Sequence, residues 1–158
     1  MIFKKKKVVT LIPPLSGISV ALEEVPDPAF AQGFIGEGIA VKPTNGQVVA
    51  PCDGKVSYMF DTHHSCIIEH ESGVEVLIHI GINTVQLRGE GFRPYVKSGE
   101  RVKQGQLLIE FDIERIEQAG YPVITAVVMA NGDAVEKVTS YRGEVTANVG
   151  VLLEIQVK

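Results

Sequence analysis

The sequence predicts an all-β fold, a compact antiparallel β-sandwich or barrel with short helical turns. Glycine and proline punctuate the chain at short intervals, and the segments between them are short and rich in valine and isoleucine. This pattern is typical of strands joined by tight turns. A length of 158 residues suits one hydrophobic core. We therefore expect a single domain over residues 1–158, in which residues 1–7 form a mobile basic tail.

The predicted elements follow from this punctuation. The segments expected to be strands are short, contain β-branched residues and end at Gly or Pro turns. They are residues 7–12, 17–21, 38–43, 47–50, 54–59, 65–70, 74–80, 86–88, 107–111, 123–129, 143–146 and 151–157. Residues 27–33 are expected to form a short turn or 3₁₀ segment. Residues 112–119 are expected to form a brief helix with Asp112 as its N-cap.

Charge and composition exclude several classes of protein. The net charge is −4, and Lys and Arg form no stripe with interleaved aromatic residues, which argues against a nucleic-acid partner. No apolar run approaches the roughly 20 residues that cross a bilayer. Pro13, Pro14 and Gly17 interrupt any signal-peptide core after the N-terminal lysines. Cys52 and Cys66 are expected to be free thiols in a reducing compartment. We expect a soluble, cytoplasmic protein.

A two-histidine hairpin is the most informative segment. Strand-like runs flank Glu71-Ser72-Gly73, which is the pattern of a β-hairpin. With a loop of even length centred between Glu71 and Ser72, His64 and His79 become direct cross-strand neighbours, with Cβ atoms about 5 Å apart. A loop of odd length would shift the register by one residue and send one ring to the opposite face. The register thus predicts that the two rings meet, on condition of an even loop.

Paired neutral imidazoles suit a phosphohistidine site. Histidine titrates near neutrality, is nucleophilic when neutral, and can donate an N–H to a phosphoryl oxygen. One ring can then attack while the other stabilises the transferring group. The same pair could be half of a zinc site with further ligands, or two unrelated strand histidines. His63 and His70 are expected to be surface residues.

Along nearly its whole length the chain resembles a known family, the glucose-type IIA domain of the bacterial phosphoenolpyruvate-dependent sugar phosphotransferase system. The clearest block is Leu77-Ile78-His79-Ile80-Gly81. The matching segments occur in the family's order. They are residues 14–17, 25–30, 36–43, 50–54, 62–64, 77–85, 89–92 and 102–105. The resemblance implies an antiparallel β-sandwich without cofactor or metal.

The resemblance also implies a chemical role for three residues. His79 would be the phosphorylated residue, receiving phosphate from the phosphocarrier HPr and giving it to a cysteine of a IIB domain during sugar uptake. His64 would stabilise the phosphorylated ring. Thr62 would bond to the second nitrogen of His64 and fix its tautomer. Neither Cys52 nor Cys66 matches the IIB acceptor, and contact with a membrane permease would occur only through partners.

A docking face around the histidines is a further implication of the resemblance. In the family this face is apolar and ringed by acids, which would suit a quickly exchanging partner interface. Its apolar positions here are Phe30, Phe60, Leu77 and Val85, and its acidic positions are Asp27 and Asp133. The alternative for each apolar residue is ordinary core packing.

The chain departs from the family at positions next to the site. Asn83 stands where the family usually has Asp or Glu, which removes one negative charge that could pair with a basic carrier. Ser65 and Cys66 follow His64 where Ala and Gly or Phe are common, which is expected to add polar atoms near the site. Leu77 replaces a Phe seen in some members. We expect Asn83 to belong to the partner-binding surface with the chemistry unchanged.

A zinc endopeptidase of the lysostaphin type is one alternative, because it also has a Gly-punctuated β-architecture with an apolar strand that ends in His. Those enzymes need a His-x-His pair and an upstream His with Asp. The four histidines of this chain include no His-x-His spacing.

A biotinyl or lipoyl carrier module is another alternative, suggested by the strand-turn rhythm of residues 96–107. The modified lysine of such modules lies at a hairpin tip in a Met-Lys-Met or Asp-Lys-Ala context, which this chain lacks. A regulatory binding protein that uses the same face without turnover is the third alternative.

Overall fold

The fold described here is that of a computed structural model, which describes residues 7–158. Of the expected basic tail, residues 1–6 lie outside the described residues. Lys7 is exposed, and its carbonyl accepts a hydrogen bond from Val157 N at 2.9 Å. The first strand therefore begins directly after Lys7.

Fourteen strands lie within the described residues. They are β1 Val8–Leu11, β2 Gly17–Val20, β3 Gly38–Pro43, β4 Gln47–Val49, β5 Gly54–Met59, β6 Ser65–Glu69, β7 Glu75–His79, β8 Phe92–Pro94, β9 Arg101–Val102, β10 Leu107–Phe111, β11 Thr125–Met129, β12 Val135–Ser140, β13 Gly143–Val145 and β14 Leu153–Val157. Short helices α1 Pro28–Ala31 and α2 Ile113–Gln118 and the 3₁₀ turns Leu22–Glu24, Thr84–Leu87 and Gly132–Ala134 connect them.

The strands form three antiparallel sheets. The largest has eight strands in the order β13-β2-β3-β11-β7-β6-β5-β9, and the two smaller ones are β1-β14-β12 and β4-β10-β8. Within residues 7–158 the sheets do not close on themselves, so the predicted antiparallel sandwich is confirmed and the barrel is not formed.

Two apolar clusters lie on opposite faces of the eight-stranded sheet. Strand β7 shows the division, because Val76 and Ile78 belong to the larger cluster between the sheets, whereas Leu77 belongs to the smaller one. The smaller cluster includes Phe30 of α1 and the Val25 side chain before it. The segment that carries α1 therefore covers the face of β7 from which His79 projects, since residues 77 and 79 share a face.

Most predicted elements are confirmed, and several are wrong. Strands 38–43, 54–59 and 107–111 have the predicted bounds, and Asp112 caps α2 by accepting from Arg115 N at 3.1 Å. The predicted strand 86–88 is instead the end of a 3₁₀ turn, because Asn83 and Arg88 take left-handed φ values of 61° and 54° and curl the chain between them. The predicted set lacked β8, β9 and β12, which pair with β10, β5 and β14. Strands β8 and β9 have only three and two residues, and the six residues of β12 include Glu136 and Lys137, so neither length nor hydrophobic pattern indicates them.

The register predicted for the histidine hairpin is wrong by one residue. Ser65, not His64, lies opposite His79, and Glu69 lies opposite Glu75. The loop between them, residues 70–74, has odd length. His70 N donates to Val74 O at 2.9 Å and Gly73 N donates to His70 O at 2.9 Å, with Gly73 at a φ of 94°. Those bonds close a loop of odd length in place of the even one that was expected.

Candidate functional site

His79 ends a central strand. It is the last residue of β7 and is half-buried, with Ser65 of β6 on one side and Ala126 of β11 on the other. Two flanking strands hold its backbone, so the position of the ring depends only on the side-chain torsions and the ring's hydrogen bonds. A strand end provides this rigidity together with access to solvent.

His64 reaches His79 from a turn rather than from the ladder. It precedes β6 in a turn closed by Phe60 N to Ser65 O at 3.1 Å and His63 N to Phe60 O at 2.8 Å. His63 has a left-handed φ of 57°, which breaks the alternation of side chains at this point. Ile80 N donates to His64 O at 2.8 Å and ties the turn to the end of β7. The rings therefore meet despite the shifted register.

The two imidazoles form the centre of a row of five rings. The His64 and His79 centroids lie 5.0 Å apart with the planes at 81°. Phe30 packs on His79 at 5.0 Å, Phe60 on His64 at 5.5 Å, and Tyr58 on Phe60 at 4.8 Å. Phe30 and His64 are buried, at 3% and 4% exposure. The row holds both imidazoles between apolar walls.

The hydrogen bond of His79 sets its tautomer. Its Nδ1–H donates to the carbonyl of Gly81 at 2.8 Å, because a carbonyl can only accept. In the neutral ring, Nε2 therefore carries the lone pair. Gly81 has a φ of 73°, and a Cβ there would lie 2.5 Å from Thr84 Cγ2. Only glycine fits this turn without displacement.

The second imidazole is held by a neighbouring hydroxyl. Thr62 Oγ1 lies 2.5 Å from His64 Nδ1, which is hydrogen-bond distance. The pair is two residues apart in the same turn. The Thr62 hydroxyl is therefore placed to bond to one nitrogen of the His64 ring.

Both imidazoles have lowered pKa values. Burial, and second the neighbouring His79, lower the pKa of His64 to about 4. Burial also lowers the pKa of His79, while the Gly81 carbonyl and the Asp27 charge oppose that shift. Both rings are thus neutral at neutral pH. A neutral ring with a free nitrogen lone pair is a nucleophile.

The remaining predicted partner-binding residues differ in burial and in their position relative to the histidines. Asp27 accepts a hydrogen bond from Ala29 N at 2.9 Å as the N-cap of α1, and its charge acts on His79. Leu77 is 8% exposed and, like Phe30, lies in the smaller cluster beneath the histidine rings. Phe60 is half-buried and packs on His64. Val85 and Asn83 are exposed at the turn that follows His79.

Asp133 lies at the other end of β7. The side chain of nearby Asn131 accepts from Glu75 N at 2.8 Å and donates to Gly73 O at 2.7 Å. Glu75 begins the strand that His79 ends, which corresponds to about 13 Å along the strand. Asp133 is exposed and follows Asn131 by two residues, at the end of β7 away from His79.

The substituted residues after His64 lie in the interior. Ser65 is fully buried, and its hydroxyl donates to Ile78 O at 3.0 Å. Cys66 is fully buried in the larger cluster. Ser65 does place a polar atom beside His79, which lies opposite it in the ladder, but that hydroxyl is already bonded. The Cys66 thiol faces the larger cluster and adds none.

The two cysteines and the other two histidines lie in the interior or half-buried at the surface. Cys52 and Cys66 are free, as expected. Both are buried, and burial raises the pKa of each thiol to about 12. Both thiols therefore remain protonated and unreactive. His63 and His70 are half-buried rather than fully exposed, and His70 Nδ1 accepts from Ser72 N at 3.0 Å in the hairpin loop.

Two residues at the site, Gly81 and Tyr58, and the exposed Phe34 elsewhere on the surface were not predicted from the sequence. Gly81 belongs to the motif around His79, but no role was assigned to it from the sequence, although a glycine two residues after a strand-end histidine indicates a tight turn. Tyr58 is 46% exposed because a β-bulge between Val56 and Tyr58 breaks the alternation. Phe34 is 76% exposed just after α1, and no periodicity of its segment indicates this.

The described residues contain neither a metal-binding cluster nor a membrane-spanning helix. Across residues 7–158, no group of three or more His, Cys, Asp or Glu side chains is placed to hold a metal ion. Over the same residues, every helix is too short or too polar to span a bilayer.

The chain is similar to known proteins over almost its entire length. Residues 9–135 match the family model described as phosphoenolpyruvate-dependent sugar phosphotransferase system, EIIA 1. A glucose-specific EIIA component from Oceanobacillus iheyensis is 46% identical over 96% of this chain and 93% of that protein. A β-glucoside-specific EIIBCA component from Dickeya chrysanthemi is 48% identical over 88% of this chain and 22% of that protein.

A solved structure shows the same fold. The glucose permease IIA from Mycoplasma capricolum matches with a TM-score of 0.88 and 30% identity, over 97% of this chain and 99% of that one. The family match, the close relatives and the shared sandwich agree with one another. The chain belongs to the EIIA 1 family of the phosphoenolpyruvate-dependent sugar phosphotransferase system, whose members are phosphoryl carriers.

Proposed function

We propose that this protein carries phosphate as a phosphohistidine on Nε2 of His79, which accepts the group from phospho-HPr and gives it to the cysteine of a IIB domain in the cytoplasm. The observation that supports this most directly is the bond from His79 Nδ1–H to the Gly81 carbonyl. That bond leaves Nε2 with its lone pair on a ring that burial keeps neutral.

The transfer needs no general base. The Nε2 lone pair forms the N–P bond while the bond between phosphorus and the leaving atom of the donor breaks, and that atom keeps the electron pair. In the onward step an acceptor thiolate attacks phosphorus, and the electron pair of the N–P bond returns to Nε2. Positioning and charge stabilisation then account for catalysis.

His64 supplies the charge stabilisation in this proposal. If the Thr62 hydroxyl donates to His64 Nδ1, the proton of the neutral His64 ring is on Nε2 and can be donated to a phosphoryl oxygen. The 2.5 Å contact with Thr62 and the 5.0 Å separation of the two rings support this arrangement. Donors held ready in a water-poor site stabilise developing charge well.

The partners dock, in this proposal, on the apolar surface around the rings. Val85, in the turn after His79, and Tyr58, in the row of rings, are each 46% exposed, while Asp27 supplies negative charge beside His79. Apolar anchors with a charged rim suit a weak and quickly exchanging interface. The relative named EIIBCA supports a IIB acceptor, and the relatives named for glucose support a glucose-type permease. This protein would contact that permease only through its IIB domain.

The test is phosphorylation with phosphoenolpyruvate, enzyme I and HPr, followed by intact mass measurement. We expect one phosphoryl group that is acid-labile, because phosphohistidine hydrolyses in acid. His79→Ala should remove all labelling. His64→Ala should still accept phosphate but pass it to a IIB domain at least about tenfold more slowly, as loss of a stabilising donor does.

Matched substitutions make this test specific. His63→Asn, in the same turn as His64, should leave both steps unchanged within about twofold, since asparagine tolerates the left-handed φ of this position and no ring contact joins His63 to the row. Acid-stable label, or label retained in His79→Ala, would contradict the proposal.

A further inference from the structure

A buried hydroxyl stands behind the turn that orients His79. The turn comprises residues 80–84 and contains Gly81, whose carbonyl accepts the His79 Nδ1–H. Thr84 is fully buried, and its Oγ1 donates to the carbonyl of Ile80 at 2.5 Å. A second segment holds the turn from outside, since Gly81 N donates to Ile124 O at 3.1 Å.

Packing around Gly81 is tight on both sides. A Cβ built on Gly81 would lie 2.5 Å from Thr84 Cγ2 and 2.6 Å from Pro122 O. Ile82 N donates to Pro122 O at 3.2 Å on the same side. The Gly81 peptide is therefore enclosed between the Thr84 side chain and the backbone that precedes β11, and a shift of either would move its carbonyl.

We propose that Thr84 is a positioning residue for phosphoryl transfer: its hydroxyl holds the 80–84 turn so that the Gly81 carbonyl keeps the His79 proton on Nδ1. The inference rests on the proposed function of His79 for its catalytic consequence. The effect of Thr84 on the tautomer of His79 does not depend on the proposed function and can be measured without any partner protein.

The consequence follows from imidazole chemistry. A neutral ring has two tautomers, and the hydrogen bond made by one nitrogen decides which is populated. If the Gly81 carbonyl moves out of reach, the form with the proton on Nε2 gains population. That form has no lone pair at the attacking nitrogen, so the fraction of reactive molecules falls.

The chemistry of Thr84 fits this task better than an apolar side chain of the same shape. Valine would fill the same volume but would leave the Ile80 carbonyl without the hydroxyl proton. Leaving a buried carbonyl without a hydrogen-bond donor costs free energy. The backbone of the turn is then expected to shift so that the Ile80 carbonyl can bond to another donor. Serine would restore the bond with a smaller side chain.

The experiment reads the His79 tautomer from ring ¹⁵N chemical shifts in the free, unphosphorylated protein. The wild type should show the proton on Nδ1. Thr84→Val should show a clear rise in the Nε2-protonated form, and Thr84→Ser should restore the wild-type shifts. Ser19→Ala is the matched control, because Ser19 is also buried and also donates to a backbone carbonyl, that of Tyr141 at 2.7 Å, but lies three strands away, about 14 Å across the sheet.

The kinetic half uses the same variants in the HPr reaction at equal folded fraction. Thr84→Val should accept phosphate about tenfold more slowly, the scale of effect that loss of geometric control produces, and Ser19→Ala should match the wild type. If Thr84→Val does not fold, Thr84→Ala provides the same comparison with a smaller side chain.

Two outcomes separate the inferences. Wild-type ring shifts in Thr84→Val would overturn the role of Thr84, whatever the rate. Wild-type His79 that takes no phosphate from HPr would instead overturn the proposed function, and the ring shifts would still decide whether Thr84 sets the tautomer.

Discussion

At the scale of single residues, hydrogen bonds to backbone and hydroxyl groups decide what the two histidines can do. His79 donates to Gly81 O and His64 contacts Thr62 Oγ1, so each ring has one nitrogen engaged and one free. Burial keeps both rings neutral by lowering their pKa values. Charge and tautomer are thus set within a few ångströms of each ring.

The lowered pKa of His64 makes stability depend on pH. In the unfolded chain the ring titrates near its ordinary pKa of about 6.5, whereas in the folded protein it titrates at about 4. Between these values the unfolded state binds more protons, so the free energy of unfolding falls as the pH is lowered from about 6.5 to about 4. Urea unfolding across this range should show that decline.

His64→Gln is the control for this dependence, because glutamine keeps a group that can bond to Thr62 but does not titrate. Its free energy of unfolding should fall less steeply over the same pH range. Equal slopes for wild type and His64→Gln would mean that His64 is not the group responsible.

At the scale of elements, α1 places the Phe30 ring against the His79 ring. The helix has only four residues, so its own hydrogen bonds stabilise it little. Asp27 caps it and Pro28 begins it, which are the residues that favour a helix start. The cap thereby holds Phe30 at 5.0 Å from His79.

Two substitutions of Asp27 separate its cap from its charge. Asp27→Ala should lower the free energy of unfolding by about 1 kcal/mol, whereas Asp27→Asn, which caps equally well, should change it by no more than a few tenths of a kcal/mol. Both remove the negative charge that raises the pKa of His79, so both should lower that pKa to a similar extent. Urea unfolding and an NMR titration of the His79 ring measure the two effects. A His79 pKa that falls only in Asp27→Ala would show that helix position, not charge, is responsible.

At the scale of the whole molecule, the eight-stranded sheet separates two apolar clusters that contribute differently to stability and to the site. The larger cluster joins the sheets, and the smaller one supports the histidine face. Neighbouring residues of β7 point to different clusters, Leu77 to the smaller and Ile78 to the larger. Substitutions at these two positions therefore distinguish loss of stability from loss of site geometry.

We expect Leu77→Val and Ile78→Val each to lower the free energy of unfolding by about 1 kcal/mol, since each removes little buried volume. Only Leu77→Val should also slow phosphorylation at His79, because Leu77 shares its cluster with Phe30. Denaturant unfolding and the HPr reaction provide the two measurements. Equal slowing by both variants would mean that general stability, not support of the site face, controls the rate.

The hairpin illustrates how far prediction from sequence extends. The turn residues and alternating runs predicted two paired strands with His64 and His79 near their open ends, and the rings do meet. The reason was wrong, because the loop 70–74 is odd and His64 is brought over by a turn with a left-handed His63. Hairpin loops of two to five residues are all common, and the Glu71-Ser72-Gly73 sequence is compatible with more than one of these lengths. The sequence therefore does not decide the register.

The sequence by itself determined the strand-rich fold class, the N-cap of α2, the free thiols and the two histidines of the candidate site, because these depend on composition and on neighbours close in the chain. Tertiary structure decided the hairpin register, strand β12 and the exposure of Tyr58. It also decided the carbonyl that orients His79. Each of these depends on a partner distant in sequence or on a backbone angle that packing imposes, as where Gly81 is enclosed by Thr84 and Pro122.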